Sequence, residues 1–298
     1  MTSKKVLVAG LPRTGKTTFL AALWYFVQPS GESNGNLTLE SLAKGEHEYL
    51  NEIAQKWLRC QHLTRTTPVN STNTGKEAII MNLKNSTTKN KIVLEIPDFQ
   101  GETFKQQFEN REWDIEYQEL LGNINGILLF VNPEATNNMP LLINDANDIA
   151  NQIGAEPPQS NDGVNIVPWK LELSPNQVKL IDILQFISFY KPNIFPLKLT
   201  VLISAWDIVQ KTSKKGETPT TWLENKLPLL YQYLFCNSEL FEIMVIGISA
   251  QGCNYEDHEQ VTEMLSKKPQ ERILINDGSK EYHDITTIIA WLANENNN

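Results

Sequence analysis

Gly10-Leu11-Pro12-Arg13-Thr14-Gly15-Lys16-Thr17 is the stretch that most restricts what this chain can fold into. It reads GxxxxGK[ST], with the apolar run Val6 to Ala9 before it and a helical pattern after it. That helix is expected from about Gly15 toward Gln28, with Phe19, Leu20, Leu23, Phe26 and Val27 on one face and Pro29 as its stop. A glycine loop between a strand and a helix N-terminus is an anion cradle, because main-chain N–H groups and the helix dipole converge there. At average glycine usage of about 7%, a chance match in a chain this long is on the order of one in a hundred. Gly10 and Gly15 let the backbone wrap phosphates, with Pro12, Arg13, Thr14 and Thr18 completing the wall. Lys16 reaches the outer phosphates and Thr17 offers a hydroxyl to Mg²⁺.

The rest of the chain repeats the strand and helix alternation. Ala78 to Leu83, Ile92 to Ile96, Ile127 to Val131, Leu199 to Ser204 and Ile243 to Ile248 read as strands. Helices are expected over Glu46 to Cys60, with Leu50, Ile53, Trp57 and Leu58 on one side, and after the start signal Ser174-Pro175, with Val178, Ile181 and Leu184 inward. A last helix opens at Asp284 and faces Ile285, Ile288, Ile289 and Leu292 inward. This pattern implies an α/β fold with a mostly parallel central sheet flanked by helices. The expected organisation is one elaborated domain over 1–298, with insertions at about 30–62, 134–173 and 252–283 and a frayed tail at 294–298. These insertions are the candidate partner surfaces.

A formal net charge of −9 excludes the basic footprint of a nucleic-acid binder, so no direct nucleic-acid contact is expected. Three scattered cysteines and four histidines form no metal-ligand spacing and fit a reducing cytoplasm. Apolar runs are too short to span a bilayer, and no signal peptide is read at the N-terminus. The acidic cluster Glu256, Asp257, Glu259 is read as a solvated face, and Trp24, Trp57, Trp113 and Trp291 as core or interface aromatics.

Three further motifs bear on the bound nucleotide. Asp98-Phe99-Gln100-Gly101 is a DxxG at a strand end, where Asp98 would hold the Mg²⁺ water shell and the Gly101 amide would sense a γ-phosphate. Ser204-Ala205-Trp206-Asp207 ends another strand where guanine-nucleotide proteins carry [NT]KxD, and an aspartate there accepts from guanine N1–H and the 2-amino group. Ser249-Ala250-Gln251 follows the next strand and matches the SA[KL] loop whose alanine amide reads the guanine carbonyl.

In order and spacing these motifs resemble the Ras-like, TRAFAC-class GTPases over nearly the whole chain. "GLPRTGKTTFLAALW", "PDFQGETF", "ISAWD" and "RILINDGSKEYHDITTIIAWL" resemble more narrowly the double-GTPase family of bacterial conflict and defence systems. The resemblance implies a GTP/GDP-binding switch that hydrolyses GTP with Mg²⁺, has Lys16, Gly101 and Arg13 as catalytic candidates, and acts with a second GTPase or an effector. It also implies a mobile-loop threonine on the metal; Thr67 is the first choice, Thr66 the second, and Arg65 a rival phosphate contact.

The departures point elsewhere. Ser204 and Ala205 replace Asn and Lys, leaving Trp206 as the candidate cover for the base, and Glu102 stands where many relatives orient water with Gln. An anion near the γ-phosphate implies slow intrinsic hydrolysis. Arg13 either folds across the phosphates or is simply solvated. An ATPase or kinase on the same loop, and a non-hydrolysing nucleotide scaffold, are the rival readings.

Overall fold

The computed structural model describes residues 4–28, 35–45, 47–63, 79–96, 107–112, 115–121, 124–135, 154, 174–190, 196–212 and 216–294. Its strands are β1 Lys4–Gly10, β2 Leu37–Lys44, β3 Ile79–Asn85, β4 Lys91–Ile96, β5 Ile124–Val131, β6 Leu197–Ile203, β7 Phe241–Ser249, β8 Leu274–Asn276 and β9 Glu281–Tyr282. They form a nine-stranded sheet in the order β2-β3-β4-β1-β5-β6-β7-β8-β9. β4, β1, β5, β6 and β7 run parallel, while β2-β3-β4 and β7-β8-β9 pair antiparallel at the two edges.

The helices are α1 Lys16–Val27, α2 His47–Leu58, α3 Ile115–Leu121, α4 Asn176–Tyr190, α5 Trp206–Thr212, α6 Pro219–Lys226, α7 Pro228–Cys236, α8 His258–Ser266 and α9 Thr286–Ala293. The parallel strands are buried on both faces, so successive side chains feed two cores. Val6, Val8, Leu128, Phe130, Leu202 and Ile246 face the core shared with α1, α2 and α9. Leu7, Ala9, Ile127, Leu129, Val201 and Ile203 face the core shared with α4 to α7.

Helix α1 is buried almost all round rather than on the one face its periodicity suggests. Ala21, Ala22 and Trp24 join Phe19, Leu20, Leu23, Phe26 and Val27 in the interior, because α2 and β2 pack against the helix as well. Each large apolar side chain so covered contributes about 1.5–3 kcal/mol, which anchors the loop at the helix's N-terminus.

The segments expected as insertions at 30–62 and 252–283 are built into the fold. The first supplies β2 and α2, with Leu37, Leu50, Ile53 and Trp57 in the α1 core; the second supplies α8, β8 and β9, with Ile273 and Ile275 in the same core. Of the 134–173 segment only residues 134, 135 and 154 are described. In α4, Leu184 is buried and Ile181 packs against the second core, but Val178 is 36% exposed. The inward position in that first turn is taken by Gln177, whose Oε1 accepts from the Leu229 N–H at 2.9 Å. Among the described residues no helix is long and apolar enough to cross a membrane.

Candidate functional site

The C-terminal ends of β1, β5, β6 and β7 lie at one edge of the sheet, with Gly10 beside Phe130, Val131 beside Ile203, and Ile203 beside Gly247. Three loops leave that edge: Gly10 to Lys16, Ser204 to Trp206, and the chain after Ser249. Ligands of open α/β sheets bind at this end of the strands.

Close packing explains the loop's glycines. A Cβ on Gly10 would stand 2.8 Å from the Phe130 carbonyl oxygen, and one on Gly15 would stand 3.1 Å from Ser204 Cβ. Gly15 also holds φ at 84°, the left-handed region, as it enters α1. Arg13 adopts φ 63°, and its carbonyl is held by Asn132 Nδ2 at 2.8 Å, so Arg13 is exposed at the mouth beside Pro12. Thr14 is buried and donates to the Leu11 carbonyl at 2.8 Å. Lys16 Nζ donates to the carbonyls of Gly10 and Leu11 at 2.9 and 2.7 Å and lies 3.2 Å from Thr14 Oγ1. The ammonium is thus already folded back over the loop. Thr17 and Thr18 occupy the first turn of α1, half-buried.

Ser204 bridges the two halves of the site. Its N–H and hydroxyl both donate to the Val131 carbonyl, at 2.9 and 3.1 Å, and its Cβ backs Gly15. A small side chain is what that gap admits. Ala205 then takes φ 47°, a left-handed conformation costing a non-glycine residue about 1–3 kcal/mol, and this turn starts α5. Asp207 lies in the first turn of α5, half-buried, and its Oδ1 accepts from Ser249 Oγ at 2.6 Å. The serine, 2% exposed, fixes one carboxylate oxygen; among the described residues the other makes no hydrogen bond. Ala250 is buried, and Gln251 Nε2 folds onto the Cys253 carbonyl at 2.7 Å.

The expectation that Trp206 covers the base is corrected. The indole is fully buried in the core under α5, where it lies against Gly247: a Cβ there would sit 2.2 Å from the ring. Only its main chain borders the site. Thr66, Thr67, Asp98, Gly101, Glu102 and Arg65 lie outside the described residues, as do Trp113 and the tail beyond 294.

Two residues at this edge escaped the motif reading. Trp57 of α2 donates through Nε1 to the Ala250 carbonyl at 2.7 Å, and Arg272 donates to the Leu58 carbonyl at 2.7 Å. Both are buried; Trp57 belongs to no motif, and Arg272 opens the RILINDG stretch without having been assigned a role. A sequence signal existed only for burial, in the apolar face of α2. The cysteines Cys60 and Cys253 pack beside them with Met264. Burial raises the Cys60 thiol, and burial followed by the neighbouring Cys60 pushes Cys253 up to about 11.

The sequence profile of the Double-GTPase 1 family matches residues 7–292. The chain belongs to that family. The match begins in β1 and ends in α9, so it takes in the phosphate loop and both loops around Asp207 and Ser249. This double-GTPase finds no match in sequence among curated proteins. Solved structures similar to it include the cytosolic domain of the T. maritima FeoB iron transporter in its GMPPNP form, at 14% identity over 89% of this chain, with a TM-score of 0.35. The signal recognition particle receptor SRb-GTP/SRX complex from Chaetomium thermophilum matches at 15% identity over 85% of this chain and 94% of its own, with a TM-score of 0.35. The bacterial selenocysteine-specific elongation factor EF-Sec matches at 12% identity over 89% of this chain, with a TM-score of 0.34. This double-GTPase spans 65% of the FeoB chain and 29% of the EF-Sec chain.

Proposed function

We propose that the protein is a GTP-binding switch that hydrolyses GTP to GDP and phosphate, in the cytoplasm, with a partner protein in a bacterial conflict or defence system. The observation that carries this reading is a pairing at one sheet edge. A glycine loop with its lysine folded inward lies beside an aspartate whose carboxylate is aimed by a serine from the next strand. An ATP site has no use for that carboxylate, since adenine lacks the N1–H and 2-amino donors it would accept, and a site built on such bonds rejects the wrong base strongly.

In this mechanism Lys16 moves from the Gly10 and Leu11 carbonyls to the outer phosphate oxygens and neutralises charge that builds between them. Main-chain amides at the start of α1 hold the remaining oxygens. Gly15, pressed against Ser204, keeps the loop from widening as the charge shifts. Asp207 accepts from the base N1–H and 2-amino group with its open oxygen and the lone pair that the Ser249 hydroxyl leaves on Oδ1. Asp98, Gly101 and Thr67 would register the γ-phosphate, and Glu102 would keep the intrinsic rate low.

The donors at the phosphate edge suit Mg²⁺, which binds through few protein oxygens and mainly through phosphates and water. Thr17 offers one hydroxyl in the first turn of α1, and no histidine, cysteine and carboxylate cage forms among the described residues. Thr17 would hold the ion directly and Asp98 through water, and the ion would supply positive charge to the phosphates.

Phosphate release from GTP, followed over hours with wild-type protein and Lys16→Ala, tests the enzymatic part. A slow release that falls at least tenfold in Lys16→Ala supports it. Undiminished release in the variant puts hydrolysis at another site, and no release with any partner leaves a nucleotide-binding scaffold.

A further inference from the structure

We infer that α2 clamps the guanine-facing loop, with Trp57 as its positioning residue; this rests on the reading of Ser249 to Gln251 as that loop. β7 ends at Ser249, paired with Leu274, and beyond it the main chain has left the ladder. The Ala250 carbonyl therefore needs a partner, since a buried unpaired carbonyl costs about 1–3 kcal/mol. Trp57 Nε1 supplies it at 2.7 Å, from a side chain 1% exposed. The indole has no room to swing: it packs on Tyr25 and Phe26 of α1 at ring separations of 5.8 and 5.9 Å.

The same loop is held from its other side. A Cβ on Gly252 would lie 2.8 Å from the Arg272 carbonyl oxygen and 2.9 Å from Met264 Sδ. Arg272, also buried, donates through Nη1 to the Leu58 carbonyl at 2.7 Å and through Nε and Nη2 to the Lys267 carbonyl at 3.2 Å each. The Leu58 carbonyl belongs to the last turn of α2, where no intrahelical donor remains. Cys60 packs against Cys253 just beyond. The loop thus lies between the end of α2 and the 267–272 segment, and α2 in turn rests on α1, the helix that carries the phosphate loop.

A main-chain amide that reads a base contributes most when its direction is set before binding, because no ordering cost is then deducted. Trp57 fixes the next peptide plane, shared by the Ala250 carbonyl and the Gln251 N–H, and so anchors the residue whose own N–H faces the base. By reciprocity, guanine nucleotide on the loop steadies α2.

The test uses the full chain and Trp57→Phe, which keeps an aromatic ring and loses the N–H. GDP and ADP are titrated into each, alongside a thermal melt. The clamp predicts a roughly five- to tenfold weaker GDP affinity, with ADP affinity unchanged. Equal GDP affinity in a folded variant, or an equal loss for GDP and ADP, overturns it. Hydrogen exchange on the wild type supplies an arm that does not depend on the variant's folding. GDP should slow exchange in 47–60 and 249–256 together, and protection confined to 249–256 overturns the clamp. If wild-type protein binds GDP no better than ADP, the base-reading assignment itself fails, and the clamp with it.

Discussion

Gly247→Ala replaces one hydrogen by a methyl in the middle of the second core. The Cβ would stand 2.2, 2.4 and 2.7 Å from Trp206 Cδ2, Cγ and Cε2, where carbon contacts relax at about 3.5–4.0 Å. The ring would have to retreat by about 1.3 Å, and a fully buried indole among Leu, Ile and Val neighbours has nowhere to go. Overpacking costs about 1–3 kcal/mol and occasionally more. With a rigid bicycle as the obstacle, the upper end applies, so a loss of about 3 kcal/mol is expected, roughly 150-fold in the folding constant. Urea melts followed by circular dichroism would measure it, with the slope checked for constancy. Because Trp206 precedes Asp207, GDP affinity should fall as well. In Gly247→Ala/Trp206→Leu the clash is gone, and the double variant should be less damaged than the sum of the singles by at least 1 kcal/mol. A single variant within about 0.5 kcal/mol of wild type would refute the packing argument.

Ser249→Ala removes the hydroxyl that orients Asp207, a bond to a charged group of a kind that contributes about 1.5–3 kcal/mol; isothermal titration should give GDP binding about tenfold weaker, and unchanged affinity would show that the carboxylate is aimed without it. For the thiols, only the thiolate reacts, and a group raised to about 11 is rarely ionised at pH 8. Exposed Cys236 should therefore take up iodoacetamide first, with Cys60 and Cys253 labelled only in urea. Peptide mass spectrometry showing Cys253 modified in native protein as fast as Cys236 would contradict the packing of that cluster.

What could be read from the residues follows the reach of each signal. The loop at Gly10, the apolar runs of β3 to β7 and the face of α9 depend on neighbours a few positions apart, and each falls within a few residues of its expected bounds. β2 was hidden because LTLESLAK on an edge strand buries only Leu37, so its pairing with β3 is decided by contacts 36 to 48 residues away. β8 and β9 are three and two residues long, too short for any period to show. Trp206 misled because an aromatic in a base-reading motif suggests stacking. The opposing clue was Gly247, a glycine inside a strand, where a close approach is expected. Motif order singles out Asp207 and Ser249 separately, but not the hydrogen bond between them. Trp57 was legible as a core residue, while its partner Ala250, 193 positions on, was not.

The central claim is that Asp207, aimed by Ser249, selects guanine at a site whose phosphate end is the Gly10 to Thr17 loop. Calorimetric titration of nucleotide-free protein with GTP, GDP and ATP in Mg²⁺, beside Asp207→Ala and Lys16→Ala, measures it directly. The account predicts guanine-selective binding by the wild type, a selectivity lost in Asp207→Ala, and weaker triphosphate binding in Lys16→Ala. ATP binding as tight as GTP, or selectivity that survives Asp207→Ala, would contradict it.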